Sequence, residues 1–163
     1  MKRLILLRHG KSSWDGNLSD ENRPLIEKAL LDAKIVAKAF QEHTDYKFTV
    51  WSSKAVRAKT TAKLVVKELE NRIEDFQIKE EFYTFDASEV LNLIRKLPED
   101  IENMMLVGHN PAYTHLVNYF CKDVEISNLP TSGLVELEFD TQTWSELKTA
   151  DLNLHLFPKH LRQ

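Results

Sequence analysis

One cysteine, Cys121, among 163 residues leaves the chain unable to form a disulfide within itself, so a reducing compartment, the cytoplasm, is expected. Glycine is almost as scarce, with four residues, and no G-x-G-x-x-G dinucleotide fingerprint occurs. Gly10-Lys11-Ser12 looks like the end of a phosphate-binding loop, but that motif needs a glycine five residues earlier, where Ile5 stands inside an apolar run. Long hydrophobic runs are absent too. The opening Leu4-Ile5-Leu6-Leu7 is cut off by Arg8, too early for a signal-peptide core and far short of the ~20 apolar residues that span a bilayer. An excess of positive charge is also missing: 22 Lys and Arg against 25 Asp and Glu give a net charge of -3. Attraction of the whole molecule to nucleic acid or to a membrane surface is therefore not expected, and any anion must be held locally. Six histidines are present, yet His43, His115, His155 and His160 show neither H-E-x-x-H spacing nor a surrounding carboxylate cluster, so no metal and no cofactor are expected.

What remains is an ordinary globular composition, 42% hydrophobic and 29% charged, at a length that suits one domain over 1–163. The run Leu4 to Leu7 suits a central strand buried on both faces. Pro24 then opens a stretch with Ile26, Ala29, Leu30, Ala33, Val36, Ala37 and Phe40 at helical spacing. Phe48 to Trp51 reads as a strand, Ala55 to Glu70 as a helix, Phe76 to Phe82 as a weak strand, Ala87 to Leu97 as a helix and Met104 to Val107 as a strong strand. Asn110 caps a further helix, with Pro111 in its first turn, running to Cys121. Leu134 to Phe139 and Trp144 to Leu147 read as an antiparallel hairpin, and the residues after Asp151 as an edge strand or tail. Strands alternating with helices predict a three-layer α/β/α sandwich, its central sheet mostly parallel, with a C-terminal antiparallel hairpin.

Three clusters each follow a predicted strand and lead toward a helix: Arg8-His9-Gly10, Ser52 through Arg57, and Gly108-His109-Asn110-Pro111. Taken singly they invite plain readings: a surface strand end, a solvated helix arginine, a histidine in a turn. Taken together in a parallel sheet they meet at the carboxyl edge, where such sheets bind ligands. Two Arg, two His and helix-start N–H groups in one place describe an anion site. Gly10 and Gly108 fall where the backbone must approach a ligand or take a positive φ.

LILLRHGKSSW at positions 4–14 resembles the R-H-G signature of the histidine phosphatase (phosphoglycerate mutase-like) superfamily. Ser52-Ser53 followed by Ala55 and Arg57-Ala58, and LVGHNP at 106–111, are similar to its second and third motifs. The Lys-Ser-Ser-Trp after R-H-G, Arg23-Pro24-Leu25 before the first helix and the short G-H-N-P segment resemble the small SixA-like phosphohistidine phosphatases. This resemblance implies a metal-independent phosphatase in which His9 is the nucleophile, Arg8 and Arg57 clamp the phosphoryl oxygens and His109 stabilises the transferring group. Gly10, Ser12 and Asn110 would make secondary substrate contacts.

One feature departs from many relatives. They carry a carboxylic acid that protonates the leaving oxygen, and here the nearest candidates, Glu80 and Glu81, fall in no convincing copy of that motif. The stretch from Glu81 to Asn103 is mostly taken up by one helix, which leaves little room for a lid. An open pocket without a dedicated acid suits a phosphorylated protein, and above all phosphohistidine. A phosphomonoesterase for a small metabolite or nucleotide is the alternative, and a non-catalytic phosphate-recognition module is a third. Oligomeric state is not legible.

Overall fold

The computed structural model describes residues 1–162, and its layering starts from β1 (Lys2–Arg8). Side chains alternate across a strand, so Leu4 and Leu6 enter one core and Ile5 and Leu7 the other. All four are fully buried, which explains why the run carries no polar alternation. The remaining strands are β2 (Phe48–Ser52), β3 (Ile73–Ile78), β4 (Asn103–Gly108), β5 (Leu134–Phe139) and β6 (Asp151–Leu156). They form one six-stranded sheet in the order β3-β2-β4-β1-β5-β6. β1 to β4 run parallel, and β5 is antiparallel to both β1 and β6.

The helices are α1 (Glu27–His43), α2 (Val56–Glu68), α3 (Ala87–Arg95), α4 (Ala112–Phe120) and α5 (Pro158–Leu161). Val36, Ala37 and Phe40 of α1 and Ala58, Ala62 and Val65 of α2 pack on Ile5, Leu7, Val50 and Val107. On the opposite face Val90 and Ile94 of α3 and Leu116, Val117 and Phe120 of α4 pack on Leu4, Leu6, Met104 and Leu137. The expected sandwich with its central first strand is therefore present, the α1 to α4 layers lying on either side of the sheet. None of the described helices is long and apolar enough to cross a membrane.

Three local expectations are corrected. Trp144 to Leu147 is not the second hairpin arm: Trp144–Glu146 is a 3-10 turn, and β5 pairs instead with β6, the segment expected as an edge strand or tail. Trp144 is apolar for a different reason, being fully buried with its indole N–H donated to the Ile101 carbonyl at 2.8 Å. The weak strand begins at Ile73 and ends at Ile78, and Glu80–Phe82 is a 3-10 turn. Glu74 and Asp75 hide it in the sequence because it is the sheet edge, where charges deter pairing with another chain. Finally, Pro111 rather than Asn110 holds the position before the first turn of α4, although the Asn110 side chain still accepts the Thr114 N–H at 3.1 Å.

Candidate active site

His9 follows β1 directly, and its backbone is tied on several sides. Its N–H donates to the Gly108 carbonyl at 3.0 Å, Ser132 N–H donates to both the Arg8 and His9 carbonyls, and Arg8 N–H donates to Gly133. Gly10 N–H donates to Thr61 Oγ1 of α2 at 3.0 Å. β4, α2 and the 130–133 turn before β5 therefore converge on one residue. The His9 side chain is 7% exposed. Its Nδ1 lies 2.7 Å from the Gly10 carbonyl, which can only accept, so Nδ1 carries the proton and Nε2 keeps its lone pair. Arg57 Nε donates to that Nε2 at 3.3 Å.

Arg57 comes from the first turn of α2 and is 1% exposed. Its Nη1 donates to the Asp20 carbonyl at 2.6 Å and its Nη2 to Asp20 Oδ2 at 3.0 Å. Arg8 donates from Nη1 to the Leu129 carbonyl at 2.9 Å. His109 follows β4, with its ring centroid 5.2 Å from that of His9. Its Nε2 is 2.8 Å from Ser53 Oγ, which also accepts the Ala55 N–H at 3.2 Å. The structure thus brings Arg8, His9, Arg57 and His109 together from three strand ends some hundred residues apart in sequence.

Burial pushes His9 down to about 4; the hydrogen bond to the Gly10 carbonyl pulls upward against it, and the positive charges of Arg57, Arg8 and Arg23 add smaller downward pushes. Burial, then His9 and Arg57, push His109 down to about 3. Both rings are neutral at pH 7. Around them Arg8 Nε, Arg23 Nε and Nη1, His109 Nδ1 and Ser132 Oγ are buried with no hydrogen-bond partner in the protein. A buried polar group left unpaired costs roughly 1–3 kcal/mol, so this many around one histidine indicates a cradle for an oxygen-rich anion. No cluster of three or more His, Cys, Asp or Glu suited to a metal occurs among the described residues.

Several neighbours of this site are not assigned to it from the sequence. Asp20 lies in Asp15 to Asn22, which reads as a polar loop, although Asp20–Asn22 forms a 3-10 turn that leads toward α1; Arg23 figures in the sequence only as part of the Arg23-Pro24-Leu25 resemblance, with no place in the site. Arg23 stacks on the exposed Trp14, its guanidinium carbon 3.5 Å from the ring centroid. Tyr83 donates its hydroxyl to Asp20 Oδ2, and Tyr83 and Phe85 flank the His109 ring at 5.5 and 4.9 Å.

Gly10 and Gly108 both have negative φ, so close packing is the reason for each. A Cβ on Gly10 would lie 3.0 Å from Ala29 Cβ and 3.1 Å from Ser132 Oγ, and one on Gly108 would lie 2.9 Å from Tyr113 Cζ. Asn110 spends its amide on Asn128, Leu129 and Thr114. Ser12 sits at an isolated bridge to Leu25. Glu80 pairs with Lys54 at 3.2 Å, and Glu81 is exposed. Two clefts elsewhere, one lined by Arg95 and Asp140 and one by Glu74 and Asn103, contain none of the residues of this site.

Residues 4–105 match the histidine phosphatase superfamily (branch 1). An uncharacterized chloroplastic protein of Arabidopsis thaliana is 32% identical over 121 residues, 69% of this chain and 56% of that protein, so the match spans little more than half of the relative's length. The putative phosphohistidine phosphatase SixA from Agrobacterium tumefaciens superposes with a TM-score of 0.82 at 28% identity, covering 96% of this chain and 98% of that one. A protein histidine phosphatase SixA complexed with tungstate has a TM-score of 0.80 at 20% identity, over 98% and 99% of the two chains, and so shares the fold.

Proposed function

The chain belongs to the histidine phosphatase superfamily, in its SixA-like group, and from that premise we propose that it hydrolyses phosphohistidine in a protein through a phosphoryl intermediate on His9. The observation that carries this is the His9 ring itself: Nδ1 is committed to the Gly10 carbonyl 2.7 Å away, which leaves the Nε2 lone pair as the attacking group. In this reading Nε2 forms a P–N bond as the bond to the substrate ring breaks. The departing ring keeps the bonding pair and, protonated at its other nitrogen, leaves as neutral imidazole. Water then attacks phosphorus and releases dihydrogen phosphate, and His9 returns to its neutral form.

Arg8 and Arg57 hold the equatorial oxygens, with Arg57 Nε–H passing from Nε2 to phosphate as the lone pair is used. In this reading Ser53 Oγ, which accepts the Ala55 N–H, gives its own hydrogen to His109 Nε2, and the tautomer with its proton on Nδ1 of His109 is the one that serves the phosphoryl group. Ser12 supplies a secondary contact, while Gly10 and Asn110 act by holding the loops in place.

Phosphohistidine is favoured over an alkyl ester because an alkoxide needs a proton as it leaves. Glu80 is paired to Lys54 and Glu81 stands in solvent, so neither is placed as that donor. The test is the ranking of kcat/KM on a phosphohistidine peptide, an aryl phosphate and an alkyl phosphate. That descending order is expected. A strong preference for the alkyl phosphate, lost in Glu80→Gln or Glu81→Gln, would establish a small-molecule phosphomonoesterase instead.

A further inference from the structure

Asp20 is an acidic side chain inside a site built for a dianion, and the reaction as described gives it no task. Its Oδ2 accepts from Arg57 Nη2 at 3.0 Å and from the Tyr83 hydroxyl, and its carbonyl accepts from Arg57 Nη1 at 2.6 Å. The same guanidinium reaches His9 Nε2 through Nε at 3.3 Å, so one planar group joins the carboxylate to the nucleophile. The other oxygen, Oδ1, is 3.6 Å from Arg23 Nε, beyond hydrogen-bond length. The Asp20 side chain is 45% exposed, within reach of a group presented on a large substrate.

On the reading of a phosphohistidine substrate, we propose that Asp20 selects the leaving group, its Oδ1 accepting a hydrogen bond from the N–H of the protonated ring that departs. The chemistry discriminates by the sign of charge. An alkyl or aryl oxygen gains negative charge as its bond to phosphorus breaks, and a carboxylate beside it opposes that change. A phosphoimidazole ring departs only with its remote nitrogen protonated, and that N–H is complementary to a carboxylate. The bond to phosphorus breaks with its electron pair going to the ring nitrogen, the remote proton stays on the ring, and Asp20 neither gains nor loses one. Partial burial works to raise the Asp20 carboxyl, but hydrogen bonds from Tyr83 and Arg57 and the charges of Arg57 and Arg23 hold it below the usual carboxylate range. It stays an acceptor at neutral pH and cannot serve an ester as a general acid.

The test compares Asp20→Asn with wild type on a synthetic peptide carrying one phosphohistidine and on p-nitrophenyl phosphate. The expected result is a fall of about tenfold or more in the ratio of kcat/KM for the peptide to that for the aryl ester at pH about 8.5, and a smaller fall at pH about 6, where free rings of pKa about 6.5 already carry the proton. Equal losses on both substrates, which leave the ratio unchanged, would mean that Asp20 merely holds Arg57 and would overturn the proposal, as would no loss on either substrate. Tyr83→Phe leaves the carboxylate in place but removes one of its two anchors, the other being Arg57 Nη2, and should shift the ratio the same way by a smaller factor. It decides the matter if the Asn variant does not fold. If wild type itself prefers an alkyl phosphate, the phosphohistidine reading fails and this inference with it. If wild type prefers the phosphohistidine peptide and the variants keep its ratio, only the role of Asp20 fails.

Discussion

His9 occupies a position that disfavours its protonated form, which suits the nucleophilic role proposed for it. Burial and three nearby guanidinium groups keep the ring neutral well below pH 7, so no general base is required to free its lone pair. His9→Ala should lower turnover by at least ~10³-fold, since no covalent intermediate can form, while thermal melting stays close to wild type. Rapid quench should find acid-labile phosphate on the wild-type protein and none on the variant. Arg57 is bound by geometry rather than charge alone: Nε faces His9 while Nη1 and Nη2 face Asp20. Lys can satisfy one of those directions. Arg57→Lys should cost roughly ten- to a hundredfold in kcat/KM, from the ~1.5–3 kcal/mol that a hydrogen bond to a charged group contributes. A loss within twofold would return Arg57 to the status of a helix residue.

Among the elements, β4 and α4 meet at a point where a single methyl group matters. Gly108 ends the strand against the ring of Tyr113, whose Cζ would be 2.9 Å from an added Cβ. Gly108→Ala should destabilise the fold by ~1–3 kcal/mol, read by denaturant unfolding, and should also lower activity because His109 is the next residue. The same junction shows what a sequence can and cannot disclose. β1 and β4 were legible because strands buried on both faces are continuously apolar, and the R-H-G and G-H-N-P segments were legible because they sit at those strands' ends. β3 was blurred by the charges that guard an edge, and Trp144 misled because a large apolar residue can plug the end of a core without entering a strand. The place of Asp20 and Arg23 in the site was illegible for another reason, even though Arg23-Pro24-Leu25 carried part of the resemblance. Their neighbours are Arg57, Tyr83 and Trp14, and such partnerships across chain distance leave no periodicity to read.

For the whole molecule, the depressed histidines set an acid limit. The unfolded chain binds protons at His9 and His109 near the ordinary pKa of about 6.5, whereas the folded chain resists until about 4 and about 3. Between those values the unfolded state holds more protons, so stability falls as pH drops from about 6.5 toward 4, by up to ~1.4 kcal/mol per pH unit for each histidine. Above about 6.5 these two groups contribute no slope. Melting temperatures across this range check the sign, and a flat profile between pH about 7 and 4 would contradict it. The backbone around His9 has a further consequence, for hydrogen exchange. Amides of Arg8, His9 and Gly10 are bonded to the 130–133 turn, to β4 and to α2 respectively, and β1 sits inside the sheet between β4 and β5. No local fraying can release them one at a time. Their deuterium uptake should follow global unfolding, as slow as that of Leu6 in mid-strand, whereas amides of the half-exposed Asp20–Asn22 turn exchange early. On the proposed reading, the attacking ring is thus carried on the part of the chain expected to yield least, while Asp20, which would meet the departing group, is borne on a turn expected to open early.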